Sequence, residues 1–158
     1  MTDNTNIQNG KATTAKTTFS RETSVGIEIK ADASIVWALL TNASDYPRWN
    51  STVISIEGDI ALGGQIRLKS TLDPKRTFKL RIKTFEPERK MAWGDGQGNR
   101  VYTLTDQGNG MLSFHMHEKI GGLMFPLYAK YIPPFDQSFE QFAADLKREA
   151  EIIANTKN

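Results

Sequence analysis

The chain has 158 residues, of which 39% are hydrophobic and 24% charged, and its formal net charge at pH 7 is +2. This length favours a single domain, and the apolar fraction is enough for a sizeable core. So small a net charge argues against nucleic acid as the main partner. Because the sequence contains no cysteine, disulfides, thiolate metal sites and cysteine nucleophiles are excluded.

The sequence also lacks recognisable targeting and membrane-spanning segments. It has no run of about 18 apolar residues, and it does not open on a charged and then apolar leader. We therefore expect no transmembrane helix, no secretory signal and a cytoplasmic location, and the absence of cysteine agrees with that location.

Residues 1–16 differ in composition from the rest of the chain. They are rich in Thr, Asn, Lys and Gly, and Ile7 is their one large apolar residue after Met1. Such a segment buries too little surface to offset the entropy of ordering it. We predict a disordered tail over residues 1–16 and a single folded domain over residues 17–155.

The predicted domain opens with one strand and two short helices. Residues 18–29 alternate between apolar and polar positions, which predicts a half-buried strand. Candidate caps at Asp32 and Ser34 precede a short helix that ends near Leu40. Residues 46–50 fit a second short helix or turn.

About six further strands follow in hairpin succession. Glycine, proline and acidic residues mark the turns between them, notably Gly63-Gly64, Asp73-Pro74 and Gly108-Asn109-Gly110. A connection rich in apolar residues, 121–131, leads from the last strand to the final helix. The predicted strands are residues 53–57, 65–72, 76–85, 90–93, 100–105 and 111–120.

The last predicted element is a long amphipathic helix over residues 133–153. Its apolar residues recur at steps of three and four positions, so they share one face of the helix. Its charged residues lie off this face and should be exposed. A succession of hairpins covered by one long helix is an α+β pattern. The apolar face consists of Phe135, Phe139, Phe142, Leu146, Ala150 and Ile153, and the charged residues are Asp136, Glu140, Asp145, Lys147, Arg148 and Glu151.

Three stretches resemble the START and pollen-allergen-like helix-grip superfamily (SRPBCC). Residues 25–41 are similar to its opening strand and helix, with the Val36-Trp37 pair, and residues 45–50 to its second helix, with a Tyr-Pro-Arg-Trp-Asn run. Residues 87–93 resemble the turn and strand that follow. The branch that the chain resembles most is the polyketide cyclase/dehydrase-like group. The resemblance implies a helix-grip fold: a curved antiparallel sheet of about six or seven strands wrapped around a long C-terminal helix, with two short helices after the first strand.

The resemblance also implies a ligand cavity between the sheet and the long helix. The residues alone favour an ordinary packed core, whereas proteins of this superfamily usually have a cavity there, with apolar walls and a few polar groups. Candidate polar groups are the hydroxyls of Tyr102, Tyr128 and Tyr131. The flexible side chains of Met116 and Met124 would let the entrance of the cavity change shape. The expected ligand-binding residues are Phe78, Trp93, Tyr102, Phe114, Met116, Glu118, Met124, Tyr128, Phe139 and Phe142.

Neither histidine of the chain is expected to bind a metal. His115 and His117 lie two apart on a predicted strand and share one side of it, and Phe114 and Met116 occupy the opposite side, which should face the core. Glu118 shares that inner side. It is either a carboxylate facing the cavity, as a base or a ligand contact, or a charged residue at an exposed strand end. We assign no metal, no cofactor and no catalytic residue.

Two other patterns bear on anion binding. The spacing Gly94-x-Gly96-x-Gly98 opens into a strand, so it lacks the helix N-terminus of a phosphate loop. Five basic residues alternate on two neighbouring strands and predict a basic outer sheet face. This face is either solvated surface or a contact for an anionic membrane or an acidic partner, and its lack of interleaved aromatic residues argues against nucleic acid. The basic residues are Arg67, Lys69, Lys79, Arg81 and Lys83.

Three functions remain open from the sequence. The first is binding of a small hydrophobic molecule (a lipid, polyketide, aromatic or isoprenoid) by a monomer or homodimer. Transient contact with a membrane surface is compatible with this function. The second is a polyketide cyclase or dehydratase type of enzyme, in which Glu118, Tyr102 or Tyr128 moves a proton. The third is an interaction module resembling chaperone activators, with the basic face as a salt-sensitive contact.

Overall fold

The computed structural model describes residues 9–156, which form eight strands and four α-helices. The strands are β1 (Ala12–Lys16), β2 (Ser20–Ile29), β3 (Val53–Gly58), β4 (Gln65–Ser70), β5 (Asp73–Glu86), β6 (Lys90–Gly94), β7 (Gly98–Gly108) and β8 (Met111–Gly121). The helices are α1 (Ala33–Thr41), α2 (Tyr46–Trp49), α3 (Phe125–Tyr128) and α4 (Asp136–Thr156), and short 3₁₀ turns at Ala43–Asp45 and Ala129–Tyr131 precede α2 and follow α3.

All eight strands belong to one antiparallel sheet, in the order β1-β2-β8-β7-β6-β5-β4-β3. From β3 to β8 the chain runs as a meander, and β2 pairs with β8 along its whole length. The longest hairpin, β7–β8, turns through Gly108-Asn109-Gly110. All three of these residues have positive φ, 56° at Asn109, a conformation that glycine and asparagine tolerate best.

Helix α4 packs its apolar face against the inner side of the sheet. Phe139, Phe142, Leu146 and Ala150 are all buried, as the spacing of apolar residues predicts. They meet the inward side chains of the strands in one continuous core. A sheet that curves around a long C-terminal helix, with two short helices after β2, is the predicted helix-grip fold. No helix among residues 9–156 is long and apolar enough to cross a bilayer.

Residues 12–16 form a strand, where the sequence predicted a disordered tail. β1 pairs with β2 throughout and is also tied to α4. The Ala12 amide donates to Glu140 Oε2 at 3.0 Å, and Thr14 Oγ1 donates to Asp136 Oδ1 at 2.6 Å. These backbone and side-chain bonds stabilise a segment with little apolar surface of its own. The sheet therefore has eight strands rather than six or seven, and residues 1–8 of the predicted tail lie outside the described residues.

Several predicted boundaries also move. β5 begins at Asp73, where the sequence predicted a turn, and the turn itself lies at Thr71-Leu72. Pro74 lacks an N–H but is accommodated at the second residue of the strand. The apolar connection after β8 contains α3, and α4 begins at Asp136, after Pro133 and Pro134.

Asp145 is buried, although its place off the apolar face of α4 predicted exposure. It is 1% exposed, and its carboxylate accepts three hydrogen bonds. Ser51 donates from N and Oγ to Oδ2 at 2.8 and 2.7 Å, and Gln141 Nε2 donates to Oδ1 at 2.8 Å. The turn after α2 therefore covers this part of the helix, and Asp145 satisfies the polar groups of that turn.

Candidate functional site

A cavity of about 500 Å³ opens between one end of the sheet and the segment that leads into α4. Strands β4 to β8 form one wall, and residues 128–138 form the other. Its size falls within the usual range of small-molecule sites. Most of the wall is apolar or aromatic, with side chains that include Leu68, Leu72, Phe78, Leu80, Trp93 and Ile120.

An ion pair lines this largely apolar cavity. Arg100 on β7 and Glu118 on β8 lie directly opposite each other in the sheet. Arg100 Nε donates to Glu118 Oε1 at 2.8 Å, and each side chain is 16% exposed. The Phe139 ring of α4 covers the guanidinium, with Cζ 4.9 Å from the ring centroid. Strand register and helix packing together fix the pair in place.

The surroundings keep Arg100 charged and leave it able to bind. Burial alone disfavours the guanidinium, but the Glu118 carboxylate outweighs this effect and the pKa of Arg100 is raised. In the described part of the chain its Nε is bonded to Glu118, and the Tyr102 hydroxyl also faces the guanidinium, so part of its donor capacity is left for a ligand. Arg100 therefore offers a fixed cationic donor to an acceptor oxygen inside the cavity.

Tyr102 lies two residues from Arg100 on the same side of β7 and is fully buried. Burial raises its pKa to about 12, although the neighbouring Arg100 opposes the shift, so the hydroxyl keeps its proton at neutral pH. That hydroxyl makes no hydrogen bond of normal geometry within residues 9–156. A buried donor without a partner is uncommon in folded proteins, and here it lies next to the polar end of the cavity.

A second buried arginine fixes the wall opposite the sheet. Arg21 on β2 is 7% exposed, and its terminal nitrogens donate to the carbonyls of Ile132 and Pro133 at 3.2 and 2.8 Å. Its Cζ lies 4.8 Å from the centroid of the Phe135 ring. Burial lowers the pKa of Arg21, with Glu118 opposing the shift. Arg21 therefore holds the chain before α4 across the cavity.

The structure divides the ten predicted ligand-binding residues into three groups. Four line the cavity: Phe78, Trp93, Glu118 and Tyr128. Five are buried in the packed core instead: Tyr102, Phe114, Met116, Phe139 and Phe142. Met124 is 61% exposed, outside the cavity. The core residues lie deeper along the same inner faces, where the helix packs too closely on the sheet to leave a space.

Sequence reasoning missed the two arginines as site residues. Arg100 lies two positions before Tyr102 and Arg21 two before Thr23, so both have the parity of the inner face. The signal was therefore present as a charged residue at an inward position. Both positions fall near strand ends, where a charged residue is equally compatible with solvent exposure.

The histidines lie on the opposite face of β8 from the core residues, as predicted. Both are half-buried, and His117 Nε2 is 3.9 Å from Glu22 Oε1. No group of three or more potential metal ligands occurs among residues 9–156.

The glycine turn opens into β7, as the sequence indicates. The Asp95 carboxylate within it accepts hydrogen bonds from the Gln97 and Gly98 amides at 2.8 and 2.9 Å.

The predicted basic residues lie on the outer surface of β4 and β5. All five side chains are exposed, and Arg67 lies directly opposite Lys79 in the sheet. None of the five forms an ion pair with a carboxylate among residues 9–156. This basic face is separate from the polar pair of the cavity, which lies on the inner side of the sheet.

An eight-stranded sheet that grips a long helix and encloses a partly apolar cavity defines a START-like protein of the helix-grip class. Residues 18–151 match the family described as "Polyketide cyclase / dehydrase and lipid transport". This match covers most of the chain, which therefore belongs to that family. No curated protein is similar enough in sequence to count as a match.

Several solved structures share the fold at low sequence identity. The Zhui aromatase/cyclase from Streptomyces sp. R1128 superimposes with a TM-score of 0.67 at 14% identity, covering 84% of this chain and 94% of that one. A START superfamily protein from Mycobacterium smegmatis gives a TM-score of 0.62 at 14% identity, covering 84% and 98%. A protein of unknown function from Enterococcus faecalis gives 0.65 at 15%, covering 89% and 77%. At these identities the likeness concerns the fold alone.

Proposed function

We propose that the protein binds a small hydrophobic molecule that carries an oxygen-bearing polar end. The observation that carries this proposal is the placement of the Arg100–Glu118 pair beside the aromatic and aliphatic side chains that form more than half of the wall of a cavity of about 500 Å³. An apolar body would fill the space between the aromatic and aliphatic side chains. Its polar end would reach the ion pair.

The apolar walls supply most of the affinity in this proposal. Each Å² of apolar surface removed from water contributes about 25 cal/mol. Phe78, Trp93 and Leu80 present broad side chains to the cavity, and Trp93 is held in place by an edge contact with Tyr102, with ring centroids 5.0 Å apart. A rigid wall of this kind loses little entropy when a ligand binds.

The polar pair would orient the ligand. The terminal nitrogens of Arg100 suit a carboxylate, carbonyl or enolate oxygen, and the remaining oxygen of Glu118 suits a ligand hydroxyl. A purely hydrocarbon ligand would leave these groups unsatisfied inside the cavity, at a free-energy cost. We therefore expect fatty acids, oxygenated aromatics and polyketide-like molecules to bind better than hydrocarbons of the same size.

The first test is native mass spectrometry of the purified protein, with extraction of any bound molecule, followed by titration with 1-anilinonaphthalene-8-sulfonate, an apolar probe with an anionic end. Ser138 of α4 lines the cavity, so Ser138→Trp should occupy part of it and weaken probe binding. Ala144 lies on the same helix and is exposed, so Ala144→Trp is the matched control. Equal binding by both variants would contradict the proposal.

A second candidate is proton-transfer catalysis in the same cavity, as in a cyclase. It is favoured by the buried Tyr102 hydroxyl, which keeps its proton and has no acceptor for it in the described chain, next to an arginine that could stabilise an enolate oxygen. Glu118 would take a proton from carbon beside a carbonyl. With a poly-β-ketone substrate, Glu118→Gln would abolish turnover and keep binding if this is correct, whereas a carrier would show no turnover in either form.

A further inference from the structure

Exposed apolar side chains concentrate beside the solvent-exposed edge of the cavity at Tyr131, which we call its mouth. Of the eight large apolar residues that are exposed in the described chain, four lie in the segment between β8 and α4: Leu123 (87% exposed), Met124 (61%), Leu127 (66%) and Tyr131 (75%). We call these four residues the apolar platform. A fifth, Phe19, lies beside them, because the Gly122 amide donates to its carbonyl at 2.9 Å.

The backbone beneath the platform is anchored, so these side chains are not exposed by a loose loop. Phe125 is buried, its amide donates to the Gly122 carbonyl at 3.0 Å, and its ring meets Tyr128 edge-on at 5.6 Å. The Arg21 guanidinium holds the residues that follow. An ordered segment that presents leucine and methionine to water needs a reason outside the monomer.

The platform is continuous with the cavity. Tyr131 belongs to the platform and also lines the cavity, as does its neighbour Tyr128. Leu123 and Leu127 point outward and take no part in the wall. An apolar ligand that enters or leaves here therefore passes directly over the platform.

Basic residues border this mouth. Lys130 is exposed within the segment, with Nζ 5.1 Å from the Tyr131 ring centroid. Lys75 and Arg76 are exposed on β5, and Arg76 lines the cavity. Two carboxylates, of Asp73 and Asp95, lie on the cavity wall as well, and the Asp95 carboxylate is taken up by the amides of its own turn.

We propose that the apolar platform docks the protein on an anionic lipid bilayer, with the cavity mouth facing the membrane. Leucine and methionine would enter the acyl boundary, the tyrosines would lie at the headgroup level and the basic residues would meet anionic headgroups. The inference rests on the proposed ligand function, because a hydrophobic ligand could then pass between bilayer and cavity without crossing water.

The same features distinguish a bilayer from a second copy of the chain as the occupant. A tyrosine beside a lysine at the edge of exposed leucines is the arrangement that suits a membrane interface. A symmetric dimer through the platform would instead bring the Lys130 side chains of both copies towards one surface, with no carboxylate in residues 121–131 to neutralise them.

Flotation with vesicles tests the proposal. The wild-type protein should float with phosphatidylcholine vesicles that contain phosphatidylserine, and more weakly with phosphatidylcholine alone. Leu123→Ser with Leu127→Ser should weaken binding about a hundredfold, at about tenfold for each leucine. Ile54→Ser with Ile152→Ser removes two exposed apolar residues elsewhere and should bind as the wild type does. Lys130→Gln should lose about fivefold on anionic vesicles only.

We call the protein with Leu123→Ser and Leu127→Ser the platform variant. Three results would overturn docking through the platform. They are no flotation of the wild type, equal flotation of the two double variants, or a wild-type dimer that binds no vesicles and that the platform substitutions dissociate. Leu127→Trp adds a direct measurement, because its emission should shift to the blue on anionic vesicles, whereas the emission of the wild type, which contains only Trp37, Trp49 and Trp93, should change little. Titration with 1-anilinonaphthalene-8-sulfonate in solution separates the two proposals. The platform variant should keep probe binding, whereas vesicle binding without any probe binding would refute the ligand function alone.

Discussion

The Arg100–Glu118 ion pair tests whether the polar end of the cavity serves stability or binding. Both side chains are 16% exposed, so removing either one leaves the other charge buried and unpaired. Arg100→Met or Glu118→Leu should each cost about 3–5 kcal/mol of unfolding free energy. The double variant replaces the pair by apolar groups of similar size, and we expect its stability to lie within about 1 kcal/mol of the wild type.

Urea unfolding of the wild type, both single variants and the double variant gives the coupling energy directly. If the pair is kept for ligand binding, the double variant should fold normally and lose the preference for oxygen-bearing ligands over hydrocarbons. A double variant that loses as much stability as the two single variants together would refute this reasoning, because the coupling energy would then be zero and each side chain would stabilise the fold independently of the other. Retained ligand preference in a stable double variant would remove Arg100 from the proposed site.

Three further predictions concern the scaffold. Asp145→Leu should cost about 3 kcal/mol in urea unfolding, because it removes three hydrogen bonds and leaves the Ser51 amide and hydroxyl without their acceptor; a cost below about 1 kcal/mol would contradict a stabilising role for Asp145. Gly94→Ala should destabilise by about 1–3 kcal/mol because its Cβ would clash with Asn99 Oδ1 and with the Gly98 carbonyl oxygen, whereas Gly96→Ala meets nothing within 4 Å and should be neutral. Burial, together with the nearby His117, lowers the pKa of His115 below 6.5. The unfolded chain therefore takes up this proton first, and stability should fall as the pH drops below about 6.5. His115→Gln should flatten the dependence of the urea midpoint on pH below about 6.5, and an unchanged slope would contradict this prediction.

The sequence predicts which side of an element faces the core better than it predicts what fills that core. Alternation on β8 assigned Phe114 and Met116 to the inner side, and both are fully buried. The three- and four-residue steps of α4 likewise assigned Phe139 and Phe142 correctly. Periodicity acts along one element and reports direction. It holds no information on the gap between two elements, so it could not separate a packed residue from one that lines a cavity.

Where the cavity lies depends on three distant segments. It opens where β4 and β5 extend past the helix and where residues 128–138 bridge back towards the sheet. The bridge depends on Arg21, more than 100 residues away in sequence, which bonds two carbonyls before α4. No local sequence pattern predicts such a contact, because an arginine near a strand end is equally compatible with exposure to solvent.

The misassigned residues share one physical feature, which is that their surroundings come from elsewhere in the chain. Asp145 was expected to be exposed because the pattern of its own helix excludes it from the apolar face, yet the turn at Ser51 covers it. β1 was expected to be disordered because it buries little apolar surface, yet it gains an edge of the sheet and two bonds to α4. Buried polar groups are stable only when their partners are supplied. The Tyr102 hydroxyl still lacks an acceptor for its proton in the described chain, which is why we infer that a ligand supplies one.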